Sequence, residues 1–260
     1  MSSAPALAAR ARPLLSKVPE ITVAFWIVKL LTTAMGEATS DYMVFHMNPY
    51  LAVVMGFLVL MLALALQLRL DRYVAWTYWF VVVMVAVFGT MVADAAHIVL
   101  GIPYLVTSLA FSITLAAVFA LWYLSERTLS IHSIRTPRRE LFYWATVMAT
   151  FALGTALGDM TASTLHLGYL ASAVLFFVLF LVPFAGRRWF GWAEVFSFWF
   201  SYVITRPLGA SVADYFGMSP AVGGLGVNRL VVSAIFTLFI VFYVGRFAVT
   251  RSDIQEEPAD

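Results

Sequence analysis

The sequence contains no cysteine, which excludes disulfides, zinc–thiolate sites, iron–sulfur clusters and thiol nucleophiles. Charge is scarce as well. Asp, Glu, Lys and Arg make up 12% of the 260 residues, about half the ~25% of a soluble domain. So little charge cannot cover a water-facing surface on a chain that is 62% apolar. The net charge of +2 is too small to suggest nucleic acid. H-E-x-x-H, G-x-S-x-G and G-x-G-D-like motifs are missing. The run Gly223-Gly224-Leu225-Gly226 lacks the strand–helix setting and Lys of a phosphate loop. No enzyme class is indicated, and no cofactor is expected beyond a transported ion.

What is present is a series of apolar runs near the ~20 residues that a helical membrane span needs. They cover about residues 21–45, 50–68, 74–98, 102–124, 141–165, 168–186, 193–216 and 229–246. The expected fold is therefore an all-α integral membrane protein with eight transmembrane helices. Arg10, Arg12 and Lys17 stand too far from the first run for residues 1–20 to read as a cleaved signal peptide. Those three, with Arg69, Arg72, Arg127, Arg135, Arg138, Arg139, Arg187, Arg188, Arg246 and Arg251, all fall on one side of an eight-span arrangement. The opposite connections hold only Arg229. Short basic loops stay in the cytoplasm, so both termini are expected there. Residues 1–20 and 248–260 read as polar cytoplasmic tails, with Glu256, Glu257 and Asp260 solvated.

An internal repeat stands out. The pattern [FY]-W-x9-G-x4-D occurs at Phe25-Trp26, Gly36 and Asp41; at Tyr78-Trp79, Gly89 and Asp94; at Tyr143-Trp144, Gly154 and Asp159; and at Phe198-Trp199, Gly209 and Asp214. The chain divides into units 21–72, 73–139, 140–190 and 191–247, each a motif helix and a return helix. Two spans per unit make all four motif helices parallel. Each Asp stands ~22 Å along its helix from the Trp. The Trp pairs suit an interfacial belt, and the glycines suit close helix approach.

Each intramembrane charge costs ~2.5–3.5 kcal/mol on insertion scales. Glu37, Asp41, Asp94, Asp159 and Asp214 share the motif helices with only two bases, Lys29 and Arg206. The excess of carboxylates favours a bound cation or protonated acids. Thr33, Thr155 and His97 accompany them, and carboxylate and hydroxyl oxygens suit hard cations. Lys29 and Arg206 read either as structural counter-ions or as gates that compete with the cation. His46, His97 and His166 read as interfacial residues, and His132 as solvated in a basic loop. Pro207 is expected to interrupt the hydrogen-bond ladder of its helix.

The strings KLLTTAMGEATSD (29–41) and TRPLGASVADYFG (205–217), with TMVADAAH and TALGDMTA between them, resemble a family of bacterial multispan proteins catalogued as uncharacterised membrane-anchored proteins. That resemblance implies a bacterial inner membrane and transfers no activity. The acidic repeats are similar in style to the Glu/Asp-Gly-Asp repeats of small divalent-cation exporters, manganese exporters included. This similarity implies Mn²⁺ or Ca²⁺ as cargo. The expected function is transport or export of a cation, divalent ions included, coupled to protons, with the five acids as the binding site, Lys29, Thr33, His97, Thr155 and Arg206 as substrate or gating residues, and lipid, inorganic cations and protons as partners. The alternatives are a channel with an Asp ring, an intramembrane enzyme and a non-catalytic sensor.

Overall fold

Helices form where the apolar runs lie: α1 (Val23–His46), α2 (Pro49–Leu68), α3 (Ala75–Asp94), α4 (Tyr104–Glu126), α5 (Pro137–Asp159), α6 (Gly168–Phe190), α7 (Glu194–Gly217) and α8 (Arg229–Thr250). The computed structural model describes residues 15–255, and no strand occurs among them. Arg10, Arg12, Glu256, Glu257 and Asp260 lie outside the described residues. Local chemistry sets several helix starts. Thr22, Asn48, Thr136 and Asn228 accept backbone N–H bonds as caps, and Pro49 and Pro137 occupy first-turn positions, where a missing N–H costs nothing.

Among the described residues, six helices are long and apolar enough to cross a membrane: α2, α4, α6, α8, and α3 and α5 with the turns that follow them. The chain is thus an all-helical protein of membrane type. α1 and α7 match the others in length, but each carries three charged residues. α7 stays helical through Pro207, although a proline has no N–H and so removes the ladder bond to the Val203 carbonyl. The proline ring packs into the space left by Gly154.

The four motif helices α1, α3, α5 and α7 form a closed ring in which each packs on the next, with α7 returning to α1. The return helices form an outer layer shifted by one place. α2 packs on α3, α4 on α5, α6 on α7, and α8 on α1. Their outward faces are apolar and exposed, as at Leu58, Ile113, Phe177 and Leu238, which is what a lipid-facing layer requires. The inner ring is buried.

The residues flanking the bundle are packed rather than loose. The Lys17 ammonium donates to Glu140 Oε2 at 2.7 Å and Gln67 donates to Glu140 Oε1 at 2.9 Å, all three buried. Backbone bonds join Lys17 to Ile134, Tyr73 to Ser16, and Glu20 to Asp253. Tyr73 donates to the buried Asp253 carboxylate. Thus residues 15–20 and 251–255 tie the connections at the basic end into one polar knot, where tails free in solvent were expected.

Lys17→Met strands a buried carboxylate and is expected to cost about 3–5 kcal/mol, and adding Glu140→Leu should recover much of that loss. Thermal unfolding of the single and double variants in detergent measures both. Burial holds the Asp253 carboxyl above its ordinary range despite the Tyr73 bond. A raised folded-state value makes its contribution to stability full at low pH, and lost as pH rises through that value. Asp253→Asn should therefore remove a contribution that falls as pH rises through the raised value, so that Tm climbs more steeply with pH there, and an unchanged slope would contradict the assignment.

Candidate functional site

Residues four apart share a helix face, so steps of four from each motif aromatic to its Asp define five layers around the ring. The first holds Phe25, Tyr78, Tyr143 and Phe198; the second Lys29, Val82, Val147 and Tyr202. The third holds Thr33, Ala86, Phe151 and Arg206; the fourth Glu37, Thr90, Thr155 and Ala210; the fifth the four motif Asp residues. Contacts respect these layers all the way round. Gly36 faces Ala86, Gly89 faces Phe151, Gly154 faces Arg206, and Gly209 faces Thr33. Each glycine therefore meets the third-layer residue of the next helix. A Cβ on Gly89 would lie 2.7 Å from Phe151 Cβ, and one on Gly209 would lie 2.9 Å from the Ala34 nitrogen, closer than van der Waals contact allows.

The aromatic layer obeys the same rule. Phe25 meets Trp79 at 5.6 Å between ring centroids, Tyr78 meets Trp144 at 5.5 Å, Tyr143 meets Trp199 at 6.2 Å, and Phe198 meets Trp26 at 5.7 Å. The motif Trp residues are thus ring-closing packing groups, and Trp79, Trp144 and Trp199 are buried. This corrects their reading as interface anchors. An indole that fits a headgroup belt also fits an aromatic joint between helices, and only the neighbouring helix distinguishes the two. The Tyr78 and Tyr143 hydroxyls meet at 2.5 Å.

Arg206 fills the middle of the ring. Its Nη2 donates to Glu37 Oε2, to the Thr90 hydroxyl and, at 2.6 Å, to the Thr155 hydroxyl. Its Nη1 donates to the Thr33 carbonyl at 3.0 Å, and Thr90 donates to Glu37 at 3.1 Å. One guanidinium therefore joins the fourth-layer side chains of the other three motif helices. Below it, Lys29 is buried with no hydrogen-bond partner for its ammonium. The ammonium lies 4.1 Å from the Phe151 ring centroid and 4.0 Å from that of Tyr202. Among the described residues Lys29 pairs with no acid. Phe151, Arg206, Lys29 and Tyr202 together occupy the axis at these levels.

Above Arg206 lie the aspartates. Asp41 accepts from Arg229 Nε at 2.9 Å, and the Arg229 guanidinium also stands over Phe45. Asp214 is buried, while Asp94 and Asp159 are half-buried. Among the described residues these three make no ion pair. The acids are close enough for their charges to act on one another, Asp94 with Glu37, Asp159 and Asp41, and Asp214 with all four others. No three His, Asp or Glu side chains among the described residues are placed to hold one metal ion. His97 stands one turn beyond Asp94, where Nδ1 approaches the Ile102 carbonyl at 2.8 Å and the ring stacks on Tyr104. The Thr33 hydroxyl bonds back to Leu30, so Thr33 contributes its carbonyl to the site.

Two features were not read from the sequence. Directly after Asp94 and Asp159 the helices widen into π-helical turns, Ala95–Val99 and Met160–Thr164, a distortion frequent at functional sites. α1 and α7 continue as α-helix past Asp41 and Asp214. The ring therefore has two backbone geometries at equivalent places. Arg229 was the second omission as a partner of Asp41, although its isolation among otherwise uncharged connections was a usable signal.

A family model described as Repeat of Unknown Function (DUF347) matches residues 24–73, 77–128, 142–191 and 197–252. The chain belongs to this repeat family. The four DUF347 matches each begin at or beside a motif aromatic–Trp pair, so the fourfold repetition seen in the sequence is the family's repeat. No curated protein and no solved structure matches the chain.

Gly89→Val should cost about 1–3 kcal/mol by overpacking, and Phe151→Ala, which keeps the Cβ that the new side chain meets, should not rescue it. Arg206→Gln should cost about 3–5 kcal/mol by leaving Glu37 uncompensated, and less in the background of Glu37→Gln. Thermal unfolding of this double-mutant cycle measures the coupling, and additive losses would show that the two side chains do not pair.

Proposed function

We propose that this DUF347 protein is a secondary transporter of a cation, coupled to protons, with its site in the fourth and fifth layers of the ring. In this reading all eight helices cross a bacterial inner membrane, both termini are cytoplasmic, and the aspartate layer opens toward the outer face. One observation carries the proposal: among the described residues three aspartates in one layer lack an ion-pair partner while their two neighbours, Asp41 and Glu37, are held by arginines. Carboxylates left in this state at membrane depth are costly unless they bind a cation or a proton.

The arrangement suggests a working cycle. Arg206 satisfies Glu37 when no cargo is bound. A cation that draws Asp94, Asp159 and Asp214 together from their separate places competes for Glu37 and releases Arg206 from it. The filled axis below Arg206 favours a transporter with a closed site over an open pore. Lys29 and the Tyr202, Tyr143 and Tyr78 hydroxyls continue the axis toward the basic end and supply groups able to carry protons. Mn²⁺ and Ca²⁺ remain the cargo suggested by the acidic repeats, with carboxylates and threonine hydroxyls as hard oxygen donors.

Proteoliposomes loaded with Mn²⁺, Ca²⁺, Mg²⁺, Na⁺ or K⁺ indicators and an internal pH dye test the proposal. Wild type is expected to move at least one cation with counter-flow of protons, and Asp94→Asn with Asp159→Asn to lower the flux at least about 10-fold, a loss equivalent to 1.4 kcal/mol. Wild-type vesicles that move no cation, or variants as active as wild type, would sink it.

A further inference from the structure

Lys29 and a set of buried tyrosines form a polar file that the packing of the ring does not require. In the first layer Phe25 and Phe198 hold the places on α1 and α7 that Tyr78 and Tyr143 hold on α3 and α5, so an aromatic ring there needs no hydroxyl. In the second layer Val82 and Val147 match Lys29 and Tyr202, so neither polar group is needed to fill space. Lys29, Tyr78, Tyr143 and Tyr202 are each at most 1% exposed. Ring order and layer set them in line. The Lys29 ammonium on α1 lies 4.0 Å from the ring centroid of Tyr202 on the neighbouring α7. The Tyr202 hydroxyl has no hydrogen-bond partner among the described residues, but it lies close enough to Tyr143 for the two groups to act on one another. The Tyr143 and Tyr78 hydroxyls meet at 2.5 Å. Tyr78 stands 5.5 Å from Tyr73, centroid to centroid, and Tyr73 donates to the Asp253 carboxylate at the basic end.

The other end of the file meets Arg206. Both bases lie against Phe151, with the Lys29 ammonium 4.1 Å and the Arg206 guanidinium carbon 5.3 Å from its ring centroid. The Arg206 charge acts on Lys29 directly. No carboxylate stands at these two levels on α3 or α5, which present Val82, Ala86, Val147 and Phe151. The two bases differ in one respect: a buried lysine can give up its proton, whereas an arginine keeps its charge.

We propose that Lys29 couples cation binding to proton release, and that Tyr202, Tyr143, Tyr78 and Tyr73 carry its proton to Asp253; this assignment rests on the cation-transport reading of the axial site. A cation that takes Glu37 from Arg206 leaves the guanidinium charge unpaired beside the ammonium. Lys29 relieves the repulsion by passing one proton to the Tyr202 oxygen, while each tyrosine hands its own hydroxyl proton to the next. Tyr73 delivers to the Asp253 carboxylate, along the bond it already makes. The balance is a neutral amine at Lys29, a protonated carboxyl at Asp253 and four tyrosines left as they were. Burial holds the Asp253 carboxyl above its ordinary range, which suits a proton acceptor.

Binding of Mn²⁺ and Ca²⁺ to the full-length protein in detergent tests the coupling without transport. Calorimetry in buffers of different ionisation enthalpy counts the protons released, and a stopped-flow pH dye times them. Lys29→Met is expected to bind the ion at least as tightly as wild type and to release about one proton fewer. Lys29→Gln, also neutral, should behave in the same way. Lys29→Arg keeps the charge and cannot shed it, so it should weaken binding at least about 10-fold, equivalent to 1.4 kcal/mol. Tyr78→Phe with Tyr143→Phe should leave affinity and proton count unchanged but slow the release at least about 10-fold, an effect that loss of packing alone does not produce. Melting curves confirm that each variant is folded. Neutral Lys29 variants that release as many protons as wild type would overturn the proposal alone, as would tyrosine variants that release them at the wild-type rate. Wild type that binds neither ion would overturn the cation reading and the coupling together.

Discussion

Everything near the centre of this bundle depends on one buried ion pair, Arg206 with Glu37. A guanidinium removed from water requires several acceptors at once, and a lone carboxylate does not suffice. Here the acceptors come from α1, α3 and α5 while the donor comes from α7. The pair therefore exists only when all four motif helices are together. It makes the ring an all-or-none object, since withdrawing any one helix exposes or orphans a charge.

The ring closes because glycine recurs at one register. At each of the four joints a hydrogen replaces a side chain where the next helix passes, and the aromatic–Trp contacts repeat the same step two layers or more below. Geometry is thus fourfold while chemistry is not. The third layer offers Thr, Ala, Phe and Arg, and the fourth Glu, Thr, Thr and Ala. A duplicated backbone has kept its packing positions and let its axial positions diverge. That divergence puts a cation at the centre and leaves the aspartate layer as the one axial level that is uniform in chemistry.

The uniform layer is also where the helices differ most in backbone. α3 and α5 widen into π-helical turns just after their aspartates, and α1 and α7 do not. The two half-buried acids are those beside the widened turns, and the two buried ones belong to the regular helices. Local backbone thus sorts four equivalent carboxyls into two pairs. Across the molecule, the polar knot of Lys17, Glu140, Gln67, Tyr73 and Asp253 closes the opposite end, so the axis is sealed below and polar above.

The sequence by itself located the helical runs, though not their ends, and the four-part repetition. Apolar runs and a fixed spacing of Trp, Gly and Asp are local properties that need no partner to be seen. It also marked the acids and the two axial bases as unusual, because charge in an apolar helix is costly wherever it points. It could not say that Arg206 meets Glu37 while Lys29 meets only aromatic rings, since both bases stand the same eight residues before an acid. It could not distinguish a tryptophan at a headgroup from one in a helix joint, or a polar tail from residues 15–20 folded under the bundle. Those outcomes were decided by the tertiary structure alone. Each depends on which side chain the next helix presents, and that is set by ring closure, not by anything within a single helix.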